Sequence, residues 1–159
     1  MNLLSWMVWG FAGTVVLTTL MAGSQGAGMT RMNIPFLLGT IFTPDRDRAK
    51  PIGVVVHLIN GWLFSLIYVA AFHTVEDASV VFGMAIGAIH ALFVLAVGMP
   101  LLPAIHPRMA TEQQGPTAVR QLEPPGFLAL HYGVQTPISV FLAHLVFGAI
   151  LGGFYELPQ

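Results

Sequence analysis

Cysteine is missing from this sequence altogether, which excludes disulfides, iron–sulfur clusters and thiolate metal sites. Any bound metal must be held by His, Met or oxygen. Charge is nearly as scarce: only 8% of the 159 residues are Asp, Glu, Lys or Arg, against about a quarter in soluble domains. That is too little to coat a surface facing water. The net charge is -1, and the basic residues form no patch interleaved with aromatics, which excludes nucleic-acid binding. What the chain has instead is apolar: 55% of its residues are hydrophobic.

That apolar content is concentrated in runs near Leu3 to Ala22, Ile52 to Phe72, Val80 to Leu102 and Ile138 to Tyr155. Each approaches the roughly 20 residues that a helix rising ~1.5 Å per residue needs to cross a ~30 Å hydrocarbon core. Long apolar runs without alternation point to helices rather than barrel strands, because a backbone in lipid must satisfy its own hydrogen bonds. The expected fold is all-α: an integral membrane four-helix bundle forming a single domain over 1–159, with loops at about 23–51 and 103–137. The first run ends in small residues that resemble a signal-peptidase site, yet residues 1–20 hold no Lys or Arg. It therefore reads as a first membrane helix.

All six basic residues lie in those two long loops, and the short connector HTVEDAS has none. The positive-inside bias puts both loops in the cytoplasm and both termini on the other side. Trp6, Trp9, Tyr68, Phe72 and Tyr155 gather towards the non-cytoplasmic helix ends, as interfacial aromatics do. In the first loop, Asn33 and Pro35 open a short apolar helix, too short to cross, that lies in the interface or folds back under the bundle. The second loop is rich in Pro and Gly and reads as irregular chain with at most short helical turns.

An internal duplication carries more information. HLINGWLFSLIY at 57–68 and HLVFGAILGGFY at 144–155 share His, Leu, Gly and Tyr at the same spacing. The order Gly10, Arg31-Met32, Phe36-Leu37, Thr43-Pro44, His57 returns as Gly87, Arg108-Met109, Phe127-Leu128, Thr136-Pro137, His144. Two tandem helix hairpins of one orientation imply a pseudo-twofold axis along the membrane normal, with His57 and His144 at similar depth. His57, Gly61, Ser65 and Tyr68 share a helix face, as do His144, Gly148, Gly152 and Tyr155. Gly83, Gly87 and Ala91 give the third helix a small-residue face beside His90, suited to close helix packing.

A membrane histidine can simply bridge helices at about 0.6 to 2 kcal/mol per bond. Three of them on small-residue faces also make a candidate ligand set or proton relay. The cofactor reading assigns His57 and His144 as axial ligands of haem b or ligands of an iron or copper ion, with His90 as relay or third ligand. Counting ~1.5 Å per residue, His57 and His144 lie about 8 to 10 Å in from the cytoplasmic helix ends. A softer Cu(I) option uses His106 and Met109, with Met29 and Met32 in the matching segment. No Glu-x-x-His pair supports a carboxylate-bridged di-iron centre, and GSQGAG lacks the strand and the Lys-Ser/Thr of a phosphate loop.

LGTIFTPDRDRAKPIG, NGWLFSLIY, HPRMA, LEPPGFLALHYG and AHLVFGAILGGFY together resemble a group of small, uncharacterised bacterial membrane proteins. The resemblance implies a location in the bacterial inner membrane and no activity. The leading functional expectation is a non-catalytic accessory or structural subunit that docks on a membrane partner or self-associates within the lipid bilayer. The alternatives are haem or metal binding through the intramembrane histidines, and an oligomeric channel or transporter for protons or small solutes.

Overall fold

A computed structural model describes residues 1–158 and is all-helical apart from its loops. Helix α1 spans Leu3–Gly26, α2 Ile34–Phe42, α3 Arg46–Val75, α4 Val80–Phe93, α5 Met99–Ile105 and α6 Thr136–Phe154. A single π turn, Val94–Gly98, joins α4 to α5 so that they run on as one rod. Four helices, α1, α3, α4 through α5, and α6, are long and apolar enough to cross a membrane.

Local chemistry sets the boundaries. The side-chain oxygens of Asn2, Asn33 and Ser79 accept backbone N–H bonds at the starts of α1, α2 and α4. Asp45 does the same for α3, accepting from Asp47 N at 2.9 Å and Arg48 N at 3.2 Å. That cap carries the charged run into α3, which starts at Arg46 instead of Ile52 and holds Pro51 inside its second turn. The π turn has an equally local cause. Pro100 cannot donate a backbone N–H to the carbonyl four residues back, and Met99 N bonds Val94 O, five residues back.

The helices pack where side chains are small. On α4 and α6 a methyl group added at Gly83 would overlap the Gly148 carbonyl, and one at Gly148 the Gly83 carbonyl. Gly87 lies on the His144 carbonyl and Gly152 on the Ser79 carbonyl. The two backbones therefore touch along several turns, the usual way for membrane helices to associate. Helix α1 packs between α6 and α3, with Gly61 against Thr14 and Gly10 against Ser65. Helix α2 folds back along the first half of α3, where Gly39 meets the Ala49 carbonyl and Gly53 the Pro35 carbonyl. The backbones of α3 and α4 stay apart, although a short connector joins them.

Two arginines stitch the loops together. Arg31 donates to the carbonyl of His131 and pairs with Glu123 at 2.9 Å, while its backbone N–H bonds Tyr132 O. Arg108 donates to the carbonyls of Thr40 and Ile41. The second loop is irregular, as expected, with one 3-10 helical segment at Phe127–Tyr132. At the opposite end of the bundle, the Tyr155 hydroxyl accepts from Asn2 N at 3.1 Å and pairs with His73 Nε2 at 2.9 Å.

The glycine contact is directly testable by thermal unfolding in detergent. Gly148→Ala forces a methyl group into a backbone carbonyl and is expected to destabilise by about 1 to 3 kcal/mol. Gly23→Ala meets open space and is expected to be neutral or stabilising by up to ~1 kcal/mol.

Candidate functional site

The gap between α3 and α4 is a cavity of about 360 Å³. Its walls are mostly apolar: Leu17 and Met21 from α1, Leu37 from α2, Phe64 from α3, Phe93 from α4, Leu102 from α5 and Phe147 from α6. Into this lining the structure brings His57, His90 and His144, each from a different helix, together with Asn60, Thr14 and Thr18. Among the described residues no Asp, Glu, Lys or Arg lines it. The π turn contributes directly, since Val94 and Gly98 both form part of the wall.

The hydrogen bonds of the histidines define their chemistry. His144 Nδ1 lies 2.8 Å from the carbonyl of Val140, which can only accept, so Nδ1 carries the proton and Nε2 a lone pair. His90 Nδ1 lies 3.0 Å from the Tyr68 hydroxyl. The phenol is the better proton donor of the two, so Nδ1 accepts and His90 Nε2 carries the hydrogen. The His90 ring stacks on Phe64 with centroids 4.7 Å apart and meets His144 edge to face at 4.7 Å. His57 and the Asn60 amide have no hydrogen-bond partner among the described residues. Thr14 and Thr18 are satisfied within α1, each donating to the carbonyl four residues back at 2.7 Å.

This arrangement bears on the metal readings. Among the described residues no three His, Asp or Glu stand close enough together to hold a metal ion, so the histidines share a cavity without forming a three-ligand centre. Spacing excludes His90 and His144 as a haem-flanking pair, which is not the His57 and His144 pair expected from the sequence. Nitrogens bound trans at about 2 Å each place the ring centroids roughly 6 Å apart or more, whereas those of His90 and His144 lie at 4.7 Å.

His106 and Met109 lie elsewhere, both fully buried beneath the loops. His106 Nε2 donates to Leu37 O at 2.9 Å, with Thr40 Oγ1 at 3.3 Å, and Nδ1 accepts from Arg108 N at 3.1 Å. With both ring nitrogens engaged, His106 has no lone pair for copper. It locks the segment after α5 onto α2. The packing glycines Gly61, Gly83, Gly87, Gly148 and Gly152 all lie at helix contacts.

Sequence reasoning passed over Asn60, Phe64 and the π turn. Asn60 was the findable one, standing one helical turn from His57 on the same face. Tyr68 falls on the His57 face by spacing, but nothing in the sequence pairs it with His90. The class these features define is an all-helical bundle with four membrane-length helices around a cavity lined by histidines. No protein family, curated protein or solved structure matches the chain.

His106 gives a pH prediction. Burial holds its imidazole below the ordinary histidine range; the bond to Leu37 works the other way, and Arg108 and Arg120 add to the lowering. The unfolded chain therefore binds a proton as the pH falls through about 6.5 while the native chain does not, so stability decreases on acidification through that window. Amide exchange at Arg108, corrected for its intrinsic rate, is expected to speed up between about pH 7 and pH 5.5. In His106→Gln that dependence is expected to vanish.

Proposed function

We propose that this chain is an integral protein of the bacterial inner membrane that binds a small molecule inside its bundle and does no chemistry on it. The observation that carries the reading is the convergence of His57, Asn60, His90 and His144 on one apolar cavity. Unpaired polar groups in hydrocarbon are costly. Four retained around one space are explained by something that hydrogen-bonds them. Binding within the bundle thus replaces docking outside it as the favoured role.

Membrane insertion is supported by the outer surface. Leu63 and Ile67 on α3 are each 58% exposed, Val81 on α4 78% and Ile89 on α4 68%. Apolar side chains this exposed on successive helical turns match lipid better than water. The arginine contacts support two tandem hairpins. Thr40 stands three residues after Leu37, and His131 three after Leu128. Each repeat's arginine thus donates to the corresponding carbonyl of the other repeat, Arg31 to His131 and Arg108 to Thr40. The twofold relation breaks where α3 and α4 part while α1 and α6 touch. The cavity occupies that break.

Because the chain has no cysteine, single-cysteine reporters are clean. Asp77→Cys in intact cells is expected to react with a membrane-impermeant thiol reagent added outside, and Thr117→Cys only after lysis. The reverse pattern contradicts the proposed orientation, and equal labelling of both contradicts insertion. Replacing His57 separates binding from interhelical glue. His57→Leu removes an unpaired polar group and is expected to leave the purified protein as stable or up to ~1 kcal/mol more stable. A loss of several kcal/mol would make His57 structural.

A further inference from the structure

The polar atoms around the cavity differ in what they ask of a ligand. His144 Nε2 can only accept, because its other nitrogen is spent on Val140 O. His90 Nε2, fixed by Tyr68 at Nδ1, can only donate. Asn60, on the same lining, offers both functions. A hydroxyl satisfies this set: its hydrogen goes to His144, and its oxygen accepts from His90 or Asn60. A carbonyl compound leaves His144 unpaired. The absence of charged side chains from the lining excludes a carboxylate, phosphate or ammonium head group, whose desolvation nothing here would offset.

The remaining wall indicates the body of the ligand. Phe64, stacked on His90, stands beside the polar cluster with Phe93 and Phe147 around the same space, a setting for a flat ring. Most of the remaining lining is apolar, with Met21, Met99 and Leu102 part of it. Phe93 and Ile105, which also line it, are 53% and 74% exposed, so the cavity opens sideways between α3 and α4 to what surrounds the bundle. A ligand dissolved in the bilayer reaches it without crossing water.

We infer that the cavity takes a neutral, lipid-soluble aromatic alcohol of the hydroquinone type, its hydroxyl donating to His144 Nε2 and its tail running along the apolar wall. This rests on the reading of the cavity as a binding site. The test measures binding of a decyl-tailed hydroquinone and of the matching quinone to the protein in lipid nanodiscs, kept under argon with excess reductant for the hydroquinone arm. One buried hydrogen bond corresponds to roughly ten-fold in affinity, so the hydroquinone is expected to bind about ten-fold more tightly. His144→Leu is expected to erase that preference, and His144→Gln, which restores an acceptor, to recover it in part.

Gly98 supplies the control. A β-carbon there meets open space at the cavity wall, so Gly98→Phe places bulk at the cavity without a backbone clash at its β-carbon and is expected to weaken both ligands. Equal affinity for the two oxidation states overturns the hydroxyl assignment and leaves the cavity as a binding site. Saturable binding of neither, or binding untouched by Gly98→Phe, overturns both.

Discussion

The contact of backbone on backbone between α4 and α6 is the constraint on which the rest depends. Gly83, Gly87, Gly148 and Gly152 bring the two helices together until carbonyls occupy the space where β-carbons would lie. Helix α6 is shared, since its other side holds α1, which in turn holds α3. Once α4 is committed to α6, it cannot also close on α3. The cavity follows from that choice, and the π turn ahead of Pro100 shapes its wall. Larger residues on the α4 and α6 faces would push the pair apart and crowd the space that the histidines line.

Within this frame, histidines of one sequence type take two roles, decided by their partners. His106 has both nitrogens satisfied by backbone and fastens loop to helix. His144 and His90 each have one nitrogen fixed and the other left without a partner among the described residues. A fully paired histidine specifies structure, whereas a half-paired one set by a carbonyl or hydroxyl is pre-oriented for something else. That contrast separates the site from the scaffold more sharply than burial does, for His144 and His106 are both buried.

Much of the architecture was legible because its causes are local or periodic. Long apolar runs give helices, Asn33 and Pro35 announce α2, and the spacing of Gly83 and Gly87 marks a packing face. The true start of α3 was hidden because its run of Asp, Arg and Lys reads as a solvated loop; the Asp45 cap and the embrace of α2 make it helical. That His57, His90 and His144 belong to one place could be argued from faces and repeats, since helix rotation follows from small-residue stripes. The pairing of Tyr68 with His90, and the engagement of both His106 nitrogens, depend on contacts across 22 and 69 residues of chain. No spacing rule reaches that far, which is why the copper reading of His106 and Met109 did not anticipate these bonds.

The central claim is that a small neutral molecule occupies the space between α3 and α4. The most direct measurement is native mass spectrometry of the protein released from its own membranes, with organic extraction of the same sample and identification of whatever is retained. The account predicts one uncharged, hydroxyl-bearing aromatic compound per chain, lost in a variant whose cavity is filled. A chain that carries only phospholipid, in amounts unchanged when the cavity is filled, would contradict it.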